Sequence, residues 1–244
     1  MNIIKQPELA LFDEEQLNKY LEDDWVLPLV TPDETNIAFA ADFGCNKWLI
    51  DSACKRMIFS HLYGDLVSKD TKQKGKRLKV LDLGSGVNLC QNIIAKNHDL
   101  TVIDILAHDN LDAAKKYFAA AGIEFLNTDW FDVIDSLGSF DIIISNDLFP
   151  NVDQRLIEFL DKSLEKTDVL RVTMTFFNTL RYYSVKRINA DEIMCLRAWS
   201  GKDVQNALAH IWPRLEFKKF SFLKSTNSLF ENNRLVTLLN YDRT

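Results

Sequence analysis

The stretch VLDLGSG, residues 80 to 86, runs an apolar segment straight into two glycines one residue apart, and a helix-like stretch begins at Asn88. Extended upstream it reads RLKVLDLG, Arg77 to Gly84, whose Leu78, Val80, Leu81 and Leu83 suit a strand buried on both faces. Gly84 and Gly86 can take backbone angles closed to other residues and leave room for a ligand to approach the main chain. The following helix start adds free N–H groups beside that space. A G-x-G turn also occurs where a strand and a helix merely pack closely, so the surrounding order of elements has to decide.

That order alternates. Asn88 to Lys96 reads as a helix, DLTVIDIL at 99 to 106 as a second strand, and Asn110 to Ala121 as an alanine-rich helix closed by Gly122. IEFLNTD is a third strand, SFDIIIS at 139 to 145 a fourth, Val152 to Leu164 an amphipathic helix, and DVLRVTMTFF at 168 to 177 a fifth strand. Helical crossovers join parallel strands, so a parallel sheet follows. Two further β-runs, 214 to 225 and 234 to 242, are separated by TNSLFENN, too short for a helical crossover, which predicts a hairpin and one antiparallel strand. The expected fold is α/β: a three-layer sandwich on a mostly parallel seven-stranded sheet, last strand antiparallel.

Residues 1 to 70 read as a helical N-terminal cap or lid, interrupted by PLVTPDETNIAFAADFG, where Pro28, Pro32 and Gly44 break the pattern. Residues 71 to 244 then form the main domain, with an irregular insertion near 178 to 200. These two irregular regions are where an acceptor pocket is expected, since specificity sits on loops carried by a rigid sheet. Trp25 in the first, and Arg181, Tyr182 and Tyr183 in the second, supply aromatic surface and charge for a substrate, with Lys186 and Arg187 nearby.

Composition narrows the function classes. The net charge is -6, and the basic residues are scattered apart from Lys69 to Lys79 and the pair Lys218 and Lys219, which argues against a nucleic-acid partner. Cys45, Cys54, Cys90 and Cys195 have no zinc spacing and read as free thiols; no metal site is expected. No apolar run is long enough to span a membrane, and the N-terminus carries acids where a signal peptide carries bases, so the expected location is cytoplasmic with no membrane partner.

Asp104, eighteen positions after Gly86 and at the end of the second strand, can accept hydrogen bonds from two adjacent ribose hydroxyls. A nicotinamide dinucleotide makes the same demand, so an NAD-dependent oxidoreductase is one reading of these residues. Ser145, Asn146 and Asp147 end the fourth strand at the carboxyl edge, the side on which open α/β sheets bind ligands.

The D-L-G-S-G run, Asp82 to Gly86, resembles the first motif of the class I, Rossmann-like S-adenosylmethionine (SAM)-dependent methyltransferases, and the element order is similar to theirs over residues 76 to 242. The resemblance implies SAM as cofactor, held by Asp82, Gly84, Ser85 and Gly86, by Asp104 with Ile105 at the ribose, and by Asp129 with Trp130 at the adenine. It implies Asn146 and Asp147 at the methionine ammonium group or the acceptor. Asn88 stands where a third glycine is common. The implied activity is methyl transfer to a small molecule or sugar, with no catalytic base identified, since His61, His98, His108 and His210 are dispersed. A SAM-binding partner or sensor would carry the same residues. So would a nucleic-acid methyltransferase, whose N-P-P-Y or D-P-P-Y motif Asn146, Phe149 and Pro150 of SNDLFP resemble, with Asp147 and Leu148 in place of the two prolines.

Overall fold

A computed structural model describes residues 5–33, 43–67, 76–179, 181–187, 192–216 and 227–243. β1 (Glu8–Leu11) leads into α1 (Glu14–Leu21), α2 (Val26–Val30), α3 (Gly44–Asp51) and α4 (Ala53–Val67). The alternating part follows: β2 (Lys79–Leu83), α5 (Cys90–Asn97), β3 (Asp99–Ile103), α6 (Leu111–Ala121), β4 (Glu124–Leu126), α7 (Trp130–Val133), β5 (Phe140–Phe149), α8 (Leu156–Lys166) and β6 (Thr167–Phe176). β7 (Arg181–Arg187), β8 (Glu192–Ala198), α9 (Gly201–Ile211) and β9 (Leu235–Asp242) complete the described elements.

Seven strands form one sheet in the order β1-β9-β6-β5-β2-β3-β4. β4, β3, β2, β5 and β6 run parallel, while β9 lies antiparallel between β6 and β1. From β2 the chain winds outward through β3 and β4, then returns to β5 on the other side of β2. The carboxyl ends of β2 and β5 therefore flank the point where the winding reverses, which is where open α/β sheets leave a crevice.

Strict alternation along the central strands builds two cores. Val80, Val102, Ile142 and Ile144 face Leu62 of α4, Ile94 of α5 and Phe118 of α6. Leu81, Leu83, Ile143 and Leu170 face the opposite layer, where Phe159 and Leu160 of α8 pack with Leu208 of α9. Local signals set the helix ends: Asn110 accepts from the Ala113 N–H at 2.9 Å, and Gly122 takes φ 68° to stop α6.

Two segments differ from the sequence expectation, and a third lies largely outside the described residues. Glu8–Leu11, within the stretch read as a helical cap, is the edge strand, paired antiparallel with β9 and tied by the Thr237 hydroxyl to the Ala10 carbonyl at 2.7 Å. Four residues carry no periodicity that could announce a partner more than 220 positions away. The expected hairpin strand at 214 to 225 lies largely outside the described residues; Leu215 and Glu216 are not in a strand, and the described outer neighbour of β9 is β1. The irregular insertion contains an antiparallel ribbon, β7 with β8. Among the described residues no helix is long and apolar enough to cross a membrane.

Phe159 is fully buried, stacked on Phe149 at 4.3 Å and edge-on to Trp130 at 5.6 Å, beneath the carboxyl ends of the strands. Phe159→Ala removes most of a ring from close-packed surroundings and is expected to cost about 3 to 5 kcal/mol of stability. The urea midpoint of unfolding checks this, and a shift corresponding to under about 1 kcal/mol would show that this layer is not the packed core described.

Candidate functional site

Gly84 has φ 69° and Gly86 φ 59°, both in the left-handed region, so the chain turns sharply between β2 and α5. Space enforces glycine as strongly as torsion does. A Cβ on Gly84 would sit 2.8 Å from Leu148 Cδ2, and one on Gly86 would sit 2.2 Å from Cys45 Sγ. The turn is tied to the neighbouring strand, because the Gly84 N–H donates to the Ile103 carbonyl at 2.9 Å and the Gly86 N–H to Asp104 Oδ2 at 2.8 Å. Asp104 Oδ1 accepts from the Leu106 N–H at 2.6 Å. Burial raises the Asp104 pKa, and the two N–H groups only partly counter it. Each carboxylate oxygen keeps a lone pair for a further donor.

The turn opens onto a cavity of about 670 Å³, within the range of small-molecule sites. All the sequence-predicted cofactor residues line it except Asp82, which lies beneath the turn, fully buried. Tyr63 donates to Asp82 Oδ1 at 2.7 Å, but Oδ2 has no hydrogen-bond partner among the described residues. Burial pushes the Asp82 pKa up to about 6, against the pull of the Tyr63 hydroxyl and the nearby Ser85 and Gln91 side chains. Asn88, in the third-glycine position, lines the cavity with its buried Oδ1 likewise unpartnered. Two unsatisfied acceptors thus flank the turn.

Toward β4, Asp129 caps α7 by accepting from the Phe131 N–H at 2.9 Å, and Arg155 Nη2 donates to its two oxygens at 3.0 and 2.9 Å. Arg155 also grips Asp153, which takes the Trp130 indole N–H at 2.7 Å. Burial works to raise Asp153, but the hydrogen bonds from Arg155 and Trp130 outweigh it and hold the carboxyl below its usual range. Trp130 is anchored in the core beside Phe149 and Phe159, whereas Ile105 is exposed across the cavity.

Toward β6, the ladder shifts register between Ser145 and Phe149, and Asp147 takes φ 58°. This bulge re-aims the strand end into the cavity. Thr173 anchors it, its hydroxyl donating to Asn146 Oδ1 at 2.9 Å and accepting from the Asp147 N–H at 2.8 Å. Asp147 Oδ1 receives Thr175, Asn151 and Arg234.

The sequence-predicted acceptor residues lie elsewhere. Trp25 packs against α4, its Cζ2 3.5 Å from where a Gly64 Cβ would be, and does not line the cavity. Arg181 stands over the Phe177 ring at 4.3 Å and borders a separate hollow of about 260 Å³. Tyr182 is 73% exposed. Tyr183 donates to Asn151 at 2.5 Å (main-chain O) and 3.0 Å (Oδ1), so it braces a cavity residue from behind, and Val185 of the same ribbon reaches the lining. The sequence reading missed Cys45, Trp48, Lys55, Arg155 and Arg234, all in the cavity wall. None stands at a motif spacing, and tertiary folding alone brings them in. Burial, then the fields of Asp104 and Asp109, push the Cys45 thiol well above its usual pKa.

No protein-family model matches the chain, and no curated protein matches it in sequence. Among solved structures it is similar to the N-terminal domain of EvdMO1, crystallised in the presence of S-adenosylhomocysteine (SAH) and D-fucose: 12% identity, 75% of this chain and 79% of that one, TM-score 0.47. It is similar to the plantazolicin methyltransferase BpumL in complex with a pentazolic desmethylPZN analog and SAH: 15% identity, 94% and 100% covered, TM-score 0.42. It is also similar to a SAM-dependent methyltransferase from Clostridium acetobutylicum: 11% identity, 77% and 98% covered, TM-score 0.42. Identities this low are silent on chemistry, which rests on the geometry of the site.

A carboxyl whose folded pKa is raised binds more protons in the folded than in the unfolded chain. With Asp82 at about 6 against an ordinary 3.8, its contribution favours the fold below about pH 4 and is lost as pH rises through 6. The stability of Asp82→Asn relative to the parent protein is therefore expected to rise between pH 4 and 7, by an amount on the order of 3 kcal/mol. Denaturant titrations of both proteins at the two pH values check it. A difference independent of pH would contradict the raised pKa.

Proposed function

We propose that this chain is a SAM-dependent methyltransferase acting on a small-molecule or sugar acceptor. The observation that carries the reading is a glycine turn, left-handed at both Gly84 and Gly86, placed where the sheet winding reverses and stapled to Asp104 on the next strand. The antiparallel β9, inserted between β6 and β1, agrees with the strand reversal that the family resemblance implies. Most dinucleotide folds lack such a strand, and this favours SAM over NAD.

The residues present fit the cofactor. Gly84, Ser85 and Gly86 line the cavity with left-handed backbone at both glycines, and Asp104 retains lone pairs for ribose hydroxyls. The unpartnered Oδ1 of Asn88, in the cavity lining, matches an ammonium group, which offers donors and no acceptor. Asp129, though committed to Arg155 and the α7 cap, and Ile105 both line the cavity, after β4 and β3, and are the residues assigned to adenine. SAM supplies an electrophilic methyl group on a sulfonium centre. The protein's share is to hold that group and an acceptor in line and away from water, which accounts for much of the rate of such a transfer.

On this reading the cap is contributed by α3 and its neighbours and not by β1, because Cys45 presses on Gly86 and the Gly44 N–H donates to Asp109 Oδ1 at 2.7 Å. Residues 71 to 244 carry the cofactor site. All four cysteines are free, in keeping with a reducing, cytoplasmic setting, and the net charge of -6 disfavours a nucleic-acid acceptor.

Calorimetric titration with SAH and with NAD tests the proposal. SAH is expected to bind and NAD not; the reverse would replace the methyltransferase reading with a dehydrogenase one. Asp104→Asn, which keeps one oxygen to receive a backbone N–H, is expected to weaken SAH roughly tenfold or more, the worth of a charge-assisted hydrogen bond. An unchanged affinity would remove Asp104 from the cofactor site.

A further inference from the structure

The cavity wall toward β6 and β9 holds two cations around one carboxylate. Arg234 Nη1 donates to both oxygens of Asp147 at 3.1 Å, and Lys55 Nζ lies 3.8 Å from Asp147 Oδ2. The second distance is an ion pair without a hydrogen bond. Asp147 is already well supplied, with donors from Thr175 at 3.2 Å and Asn151 at 3.1 Å in addition to Arg234. Lys55 Nζ makes no hydrogen bond among the described residues and stands 4.4 Å from the centre of the Trp48 ring. Three ammonium donors and most of the Arg234 guanidinium donors therefore remain unspent.

Charge counting gives the same result. Among the described residues Asp147 is the one carboxylate within ion-pair distance of either cation, so the group carries a net single positive charge. The side chains of Lys55 and Arg234 are only 27% and 12% exposed, so solvent screens that charge poorly. Burial depresses the Lys55 pKa, as expected of an ammonium group short of partners. One monoanion would neutralise the group, whereas a dianion would overshoot it. A carboxylate also matches the flat fork of the guanidinium.

We propose that Lys55 and Arg234, braced by Asp147, form the binding site for a carboxylate on the methyl acceptor, so that the acceptor is a carboxylic acid. This rests on the methyltransferase reading only in calling the ligand an acceptor. The amino-acid tail of SAM is the other carboxylate that enters such a cavity, and comparison of SAH with 5′-methylthioadenosine separates the two. Asp104 and Asp129 follow β3 and β4, on one side of the glycine turn, while Asp147, Thr175 and Arg234 belong to the ends of β5, β6 and β9, on the other. At ~4.8 Å between strands, β9 with Arg234 lies three strands and about 14 Å from β2, whereas Asp147 and the Lys55 it contacts stand at the end of β5, next to β2.

The experiment titrates benzoate, benzamide and phenyl phosphate into the full chain, with and without saturating SAH, and compares the protein with Lys55→Met and Lys55→Arg. Affinities for SAH and 5′-methylthioadenosine, which lacks the amino-acid tail, are measured on each. Benzoate is expected to bind roughly tenfold or more tighter than benzamide and phenyl phosphate, with SAH present. Lys55→Met is expected to abolish that preference, Lys55→Arg to retain it, and the ratio of SAH to methylthioadenosine affinity to stay unchanged in Lys55→Met. The proposal is overturned if benzoate binds no better than benzamide, if phenyl phosphate binds better than benzoate, or if Lys55→Met keeps the preference. Loss of SAH but not methylthioadenosine binding in Lys55→Met would assign the site to the cofactor tail and equally overturn it. Failure of SAH to bind at all would defeat the cofactor reading alone, since the benzoate comparison is also made without SAH.

Discussion

The Asp104 carboxylate is the constraint on which the site depends. Its two oxygens accept the Gly86 and Leu106 N–H groups, so one side chain fixes the turn after β2 and the turn after β3 together. Both turns use left-handed backbone, at Gly86 with φ 59° and at Leu106 with φ 49°. A leucine in that region is strained, and the strain persists because the carboxylate holds its N–H. The crevice between the two turns is therefore shaped by protein hydrogen bonds.

The layers above and below the sheet meet at this crevice. The aromatic group of Trp130, Phe149 and Phe159 supports it from the α8 side, and the Trp130 indole reaches Asp153, which with Asp129 holds Arg155. From the other layer, Cys45 on α3 and Lys55 on α4 come down onto the glycine turn and Asp147. The cavity is thus divided by charge. Acids gather near the β3 and β4 ends, and the cation pair sits near β6 and β9. A cofactor with a ribose and an ammonium group suits the first half, and an acid acceptor suits the second.

Most of the fold could be read from the sequence, because each central strand is a continuous apolar run followed by a glycine or an acid and a 3.6-period helix. VLDLGSG located the turn, and the spacing to Asp104 located the second strand end. The edge strand Glu8–Leu11 could not be read, since its pairing is set by β9 and its four residues have no periodic signal. The cavity-lining residues were legible where a strand end dictates position, as at Gly84, Asp104, Asn146 and Asp147. Trp130 fell in the right place for a different reason: its ring is held in the core and its indole by Asp153. The acceptor residues were the least legible. Trp25 and Tyr182 are aromatic residues in irregular sequence, yet one is packed behind α4 and the other faces solvent, while the cavity draws Lys55 from the first turn of α4 and Arg234 from just before β9. Sequence spacing carries no information about contacts made across layers.

The central claim is that the crevice held open by Asp104 receives an S-adenosyl nucleoside. A crystal structure of the chain with SAH tests it most directly. The account predicts the ribose against Asp104, the amino-acid portion beside the Gly84 to Gly86 turn within reach of Asn88, and the adenine beside Ile105 and Asp129, leaving Lys55 and Arg234 uncovered. SAH bound elsewhere, or its carboxylate seated on Lys55, would contradict the division of the cavity on which the account stands.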